Sequence, residues 1–332
     1  MRYLIALILV LGFLAPAPAL AEDPKLVIYS GRSKSLVDPL VRRFEKTTGI
    51  EVEVRYGKTA QLAIALQEEG ERSPADLFWA QDAGALGAVT DAGLFAPLPE
   101  ETLNQVAERY REEEGRWIAT SGRARLLAYS PARVEEDQLP ESVFELTADK
   151  WKGRVGWAPT NGSFQAFVTA MRSHHGEKKT RAWLEAMKEN GARPYPKNTA
   201  IIQGLAAGEV DLGLPNHYYL LRFKTADKEF PVEQTFFEPG DIGNLVNIAG
   251  AGVLKTSERK DHANRFINFL LDATAQQYFT AYVFEYPVID GVIPHPKLVD
   301  NEQLNELAPE VDLGDLDDLE GTLKMLREAG LL

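Results

Sequence analysis

The chain has 332 residues, no cysteine, a formal net charge of −13, and 45% hydrophobic and 26% charged side chains, the composition of an ordinary globular protein. Without thiols it has no disulfides, no thiolate metal site and no cysteine nucleophile. The negative balance argues against nucleic acid and anionic membrane surfaces as partners.

The first residues read as a secretory signal. Arg2 precedes the apolar stretch Leu4–Leu14, and Ala19-Leu20-Ala21 is a small-x-small cleavage site. Cleavage after Ala21 is therefore expected, with export to the periplasm. No cysteine follows to carry a lipid, and no later stretch reaches the roughly 18 consecutive apolar residues of a membrane span. The mature chain, about 310 residues with room for two cores, is expected to be soluble and not inserted in a membrane.

Residues 25–30 predict a strand, and Leu36–Thr47, apolar at 36, 37, 40, 41 and 44, a helix stopped by Gly49. Strand 50–56, helix 59–70, strand 75–80 and helix 82–92 follow. The same grammar restarts with strand 153–158, helices 163–174 and 180–190, a short strand at 192–196, helix 199–207 and strand 210–214. Alternating strands and helices imply crossover units and a mainly parallel sheet. Two such units predict an α/β protein of two lobes, each a mixed, mainly parallel sheet flanked by helices, with the ligand cleft between them. The expected division is 22–122 with 249–332 as one lobe and 123–248 as the other. Strand-like segments near 123–129 and 247–254 would serve as hinges.

Two local patterns carry chemistry. Tyr218 and Tyr219 are adjacent and follow the polar turn Pro215-Asn216-His217. Phenolate oxygen suits a small, hard, highly charged cation, and a metal can deprotonate a phenol whose free pKa is near 10. In a strand the two side chains would face opposite ways, so they can reach one ion only from a turn or a helix start. Read alone, such a pair is more often an aromatic contact with hydrogen-bonded hydroxyls than a metal site. Asn161-Gly162-Ser163 lies at a strand-to-helix turn, where free backbone N–H groups and the helix dipole favour an anion, or where Asn161 simply caps the helix. No hydrolase elbow, P-loop or zinc-protease motif is present, and no catalytic turnover is expected.

The stretches YGKTAQLA (56–63), SPADLFWAQDAGALG (73–87), TSGRARLLAYSP (120–131), WKGRVGWAPTNGSFQAFVTAMR (151–172), NTAIIQGLAAGEVDLGLPNHYYLLRF (198–223) and LVNIAGAGVLKTS (245–257) resemble the periplasmic ferric-ion-binding proteins. These are the substrate-binding components of bacterial iron ABC transporters. The resemblance runs in order over nearly the whole mature chain. It implies a transferrin-like, type II periplasmic-binding fold, ferric iron as cargo, a synergistic anion such as carbonate, an ABC permease as partner, and a monomer.

Carried onto this sequence, the resemblance places iron on Tyr218 and Tyr219. It places the anion at Asn161, Gly162 and Ser163 with Asn198 and Asn216, and Arg32 and Arg123 are the candidate cations. Some relatives add a His and a Glu where Ser33 and Gln81 stand here, and others a Tyr where Phe164 stands. Ser33 and Gln81 are then cleft-lining residues, and Tyr129 and Tyr195 are candidates for a third phenolate. Rival readings are an oxyanion or organic-acid binder without metal, and an exported α/β enzyme.

Overall fold

A computed structural model describes residues 25–332; the expected signal and its cleavage after Ala21 lie outside the described residues. Ten strands follow in chain order: β1 (Leu26–Ser30), β2 (Val52–Tyr56), β3 (Leu77–Ala80), β4 (Ile118–Ala124), β5 (Leu127–Tyr129), β6 (Val155–Trp157), β7 (Arg193–Pro194), β8 (Leu212–Gly213), β9 (Glu233–Thr235) and β10 (Val246–Val253). They form two five-stranded sheets, ordered β2-β1-β3-β10-β4 and β7-β6-β8-β5-β9. β1 runs parallel to β2 and β3, and β10 runs antiparallel to β3 and β4. In the second sheet β6 is parallel to β7 and β8, and β5 is antiparallel to β8 and β9.

Local sequence explains the elements. Leu77-Phe-Trp-Ala80 is buried at every position, as an apolar run in a sheet covered on both faces should be. The helix Lys34–Thr48 buries Val37, Leu40, Val41 and Phe44 and ends at Gly49, whose φ of 74° is the left-handed conformation that glycine tolerates. Phe44 meets Phe266 edge-on at 5.0 Å between ring centres. The second lobe is built around Trp157, Phe164, Phe167 and Trp183, whose rings meet mostly edge to face at 5.6–6.1 Å. Each such pair adds about 0.5–1.5 kcal/mol beyond area burial.

One of the two crossings between sheets differs from expectation. The chain first crosses at Arg125–Leu126, between β4 and β5. The second crossing was expected within 247–254, but β10 lies wholly in the first sheet, so the chain returns earlier, between β9 and β10. The C-terminal segment also departs from its expected lobe. Leu313–Leu316 lies against the helix Ala83–Asp91 of the first lobe, and the helix Leu319–Glu328 then docks on the helix Gly162–His175 of the second. Thr322 bonds Thr169 at 2.8 Å and accepts from Arg172 at 2.8 Å, and Lys188 donates to the carbonyl of Ala329 at 2.8 Å. The segment is a third connection between the lobes.

Glycine makes this strap fit. A Cβ on Gly84 would collide with the Leu316 carbonyl oxygen, and one on Gly87 would lie 2.9 Å from the Cβ of Asp317. Gly84→Val should therefore lift the strap from the first lobe. The expected cost is about 1–3 kcal/mol of stability, measured by denaturant midpoint, together with new proteolytic cleavage within residues 308–318 that the unaltered chain resists.

Candidate functional site

The parallel strands of both sheets point their carboxyl ends at the interlobe cleft, where ligands of open α/β sheets bind. Loops leaving β1 and β3 bring Gly31, Ser33, Gln81 and Asp82. The loop leaving β6 brings Asn161–Ser163, and the helix His217–Ala226 brings Tyr218 and Tyr219. The cleft encloses about 450 Å³. Lys58 and Thr59 line it from the first lobe, and Leu316 and Leu319 of the strap close one side.

Asn216 is the extended cap residue before the helix, at φ −88° and ψ 150°, so the two tyrosines occupy its first turn. There their rings lie 4.3 Å apart at 32°, side by side rather than on opposite faces. Burial and the neighbouring Tyr218 hydroxyl raise the pKa of Tyr219, while a hydrogen bond with Asn198 and the charge of Arg123 act the other way. The Arg222 guanidinium covers both rings, at 4.8 and 5.8 Å from their centres.

His217 faces away from the cleft. Its Nδ1 accepts from the Ala124 N–H at 3.1 Å and its Nε2 donates to the Phe284 carbonyl at 2.6 Å. Burial pulls its pKa down to about 4, so it is neutral at neutral pH and serves as an anchor. Phe284 is the sole non-glycine residue of positive φ (61°) among the described residues. Such backbone costs of order 1–3 kcal/mol, and here it lies between two ties, the His217 bond and buried Glu285.

The turn expected to hold an anion centres on Ser163. Asn161 caps its helix by accepting from Ser163 N at 3.0 Å and from Ser163 Oγ at 2.6 Å. Asn198 Nδ2 donates to the same hydroxyl at 3.2 Å, while the Asn198 Oδ1 is buried without a hydrogen-bond partner. A Cβ on Gly162 would meet nothing within 4 Å, so the turn is open to the cleft.

Of the two candidate cations, Arg123 lines the cleft and Arg32 does not. Arg123 Nη2 donates to the carbonyls of Gln81 and of Ile248, the latter at 3.0 Å. Arg32 is buried, 2.6 Å from Glu285 Oε2 and 2.9 Å from Gln81 Oε1. Burial alone would raise the Glu285 pKa, but Arg32 and Arg123 hold it below the ordinary carboxylate value. Arg32 as an anion-binding residue is therefore corrected: its charge is already matched. Ser33 and Gln81 do line the cleft.

The third-phenolate candidates are likewise corrected. The Tyr129 hydroxyl bonds Glu136 at 3.1 Å and the Tyr195 hydroxyl bonds Glu209 at 2.9 Å, and neither lines the cleft. Burial and those carboxylates push both up to about 12; it is their place outside the cleft and their bonds to Glu136 and Glu209 that set them apart from Tyr218 and Tyr219. Tyr129 instead lines a separate cavity of about 1030 Å³.

Sequence reasoning passed over Arg125, Lys58, Asp82, Arg222 and Glu285. Arg125 had a signal: it stands two residues from Arg123 in an otherwise apolar segment, hence on the same face of a strand. Glu285 had none, since its partner lies 253 positions away. Asp82 caps the helix Ala83–Asp91, and burial raises its pKa, offset in part by Arg123. Among the described residues, no group of three or more His, Asp or Glu side chains is placed to hold a metal ion. The tyrosine hydroxyls are thus the paired oxygen donors that the cleft offers.

Removing Glu285 should leave Arg32 charged and unmatched in the interior. Glu285→Ala is expected to lose about 3–5 kcal/mol in chemical denaturation, and Arg32→Met in the same chain should recover part of it.

Comparison with known proteins agrees with this geometry. The family model described as bacterial extracellular solute-binding protein matches residues 72–316. An Fe(3+)-binding periplasmic protein of Serratia marcescens is 38% identical over 95% of this chain and 93% of its own length. Iron-bound HitA from Pseudomonas aeruginosa superposes with a TM-score of 0.87 at 33% identity, over 92% of this chain and 99% of that one. A Trichodesmium protein in complex with iron and citrate gives 0.81 at 30% identity, over 93% and 100%. The chain belongs to the bacterial extracellular solute-binding protein family, a family of binding proteins rather than enzymes, and has its two-lobed type II fold.

Proposed function

We propose that this chain binds ferric iron in the periplasm, through the phenolates of Tyr218 and Tyr219, and delivers it to an ABC permease. The observation that carries this reading is the tyrosine pair itself: two adjacent phenols on one helical turn, facing a cleft between two lobes. A hard trivalent ion favours anionic oxygen, and the ion itself displaces the phenol protons. The iron-binding names of the Serratia and Pseudomonas proteins support the same cargo.

Two phenolates leave most of the ion's coordination shell unfilled, and the first lobe presents Ser33, Gln81 and Asp82, whose Oδ1 already caps the helix Ala83–Asp91. An anion is therefore part of the bound cargo, held at the Asn161–Ser163 turn with Asn198, Asn216 and Arg123. Carbonate is the anion we propose. The citrate in the Trichodesmium complex makes a polycarboxylate the natural comparison in any test.

Protein loaded with Fe³⁺ should absorb visible light by phenolate-to-iron charge transfer, and Tyr218→Phe and Tyr219→Phe should each bleach that band and lower the iron content. Full colour and full iron in both single variants would remove these residues as ligands; an uncoloured wild type that binds an oxyanion would favour the metal-free rival.

Binding should also depend on the anion. Titration of apo-protein with Fe³⁺ in buffer purged of carbonate, phosphate and citrate should give much weaker binding than the same titration with carbonate restored. Acid should release the iron, because protons compete for phenolate and carbonate alike. Equal affinity in the two buffers would mean that protein side chains complete the shell.

A further inference from the structure

Arg125 is 2% exposed, yet among the described residues no carboxylate lies within ion-pairing distance of it, whereas Arg32 has Glu285 at 2.6 Å. A buried charge with no partner costs several kcal/mol, and a chain that keeps one has a use for it. The guanidinium is held firmly. Its Nη1 donates to the Leu214 carbonyl at 2.6 Å, and its Nη2 reaches Ser163 Oγ at 3.4 Å. It lies over the rings of Phe164 and Phe167, at 5.5 and 4.9 Å from their centres. The side chain thus touches the same hydroxyl that Asn161 and Asn198 hold.

The backbone of Arg125 adds a second connection. Its N–H donates to the Leu245 carbonyl at 2.9 Å, beside the returning crossing, and it bridges to Asn216, the cap of the tyrosine helix. Arg123, two residues earlier, spends its Nη2 on carbonyls of the first lobe.

We infer that Arg125 is the fixed counter-cation of the loaded site, a positioning residue that holds the anion turn and balances the charge arriving with the cargo. This rests on the proposed ferric-binding function. A trivalent ion held by two phenolates and a dianion is one negative charge overall, and one guanidinium neutralises it. Arg125 takes that role: it is buried and reaches Ser163, whereas Arg32 is already matched by Glu285, Arg123 spends its Nη2 on first-lobe carbonyls and Arg222 lies over the ring faces rather than at the turn.

The test compares Arg125→Gln and Arg125→Lys with wild type in chelator competition for Fe³⁺ and in the visible spectrum. Removing a desolvated charged partner commonly costs 2 kcal/mol or more, so Arg125→Gln should bind iron at least about 30-fold more weakly. A nearby cation stabilises phenolate electrons, so its loss should also move the charge-transfer band to longer wavelength, a shift that a merely structural role would not produce. Arg125→Lys, with charge kept and fork lost, should hold the band near its wild-type position and bind about 10-fold more weakly. Unchanged affinity and band in Arg125→Gln would overturn the inference. Should that variant fail to fold, wild-type affinity in Arg125→Lys would overturn it instead. If wild type binds no iron, the functional reading fails, and phosphate alone decides for Arg125. Apo wild type should then gain thermal stability from phosphate that Arg125→Gln does not gain, and no gain in wild type overturns the inference too.

Discussion

Under the proposed function two neighbouring phenols must reach one point, and the rest of the cleft depends on meeting that demand. Adjacent residues of a strand diverge to opposite faces, so Tyr218 and Tyr219 converge only because a helix begins at His217. A helix start is a poor foundation when its first residues are unanchored. Here His217 anchors it, clamped between the Ala124 N–H and the Phe284 carbonyl. The left-handed backbone at Phe284 accompanies that carbonyl, and Glu285 next to it is tied to Arg32 and Ser121 at 2.6 and 2.5 Å. An ion pair of the first lobe thus supports, through two residues and one imidazole, the orientation of the ring pair in the second.

This arrangement puts rigid material behind the donors and the crossings beside them. Arg125 and Leu126 connect the two sheets, and residues before Val246 connect them again. The strap from Leu313 to Glu328 is a further tie that touches both lobes. Motion of one lobe against the other must bend all three connections, and the glycines at 84 and 87 allow the strap to lie close enough to be one of them.

The periodicities made the elements legible from the residues alone. Apolar positions 37, 40, 41 and 44 are the buried face of the first helix, and the helix expected over 163–174 begins at Gly162 behind its cap Asn161. The tyrosine pair was legible in part: a turn or a helix start reconciles adjacency with convergence, and the chain uses the helix start at His217. What could not be read was long-range pairing. That Arg32 meets Glu285 and not the cleft is decided by a contact across 253 positions. That Tyr129 and Tyr195 turn away to Glu136 and Glu209 depends on side-chain choices no period encodes. The strap failed for a related reason: its amphipathic C-terminal helix buries Thr322, Met325 and Leu326, and periodicity tells that a face is buried but not against which lobe.

The division of labour between the lobes has a consequence for closure. A ligand shifts an open–closed equilibrium only by its differential affinity for the two forms. The paired phenol donors belong to the second lobe, and they hold their relation to each other whether or not the first lobe approaches. The first lobe contributes Lys58, Ser33, Gln81, Asp82 and, at the crossing, Arg123. Asp82 uses its Oδ1 to cap the helix Ala83–Asp91; the others are cations and neutral hydrogen-bonding groups, which suit anionic oxygen better than a cation. Under the proposed function, the metal settles on the second lobe while the anion beside it is what the first lobe can grip. Closure is then coupled to the anion more strongly than to the iron. An ion bound with an anion too small to span the cleft would leave the lobes less firmly closed than one bound with an anion that reaches across.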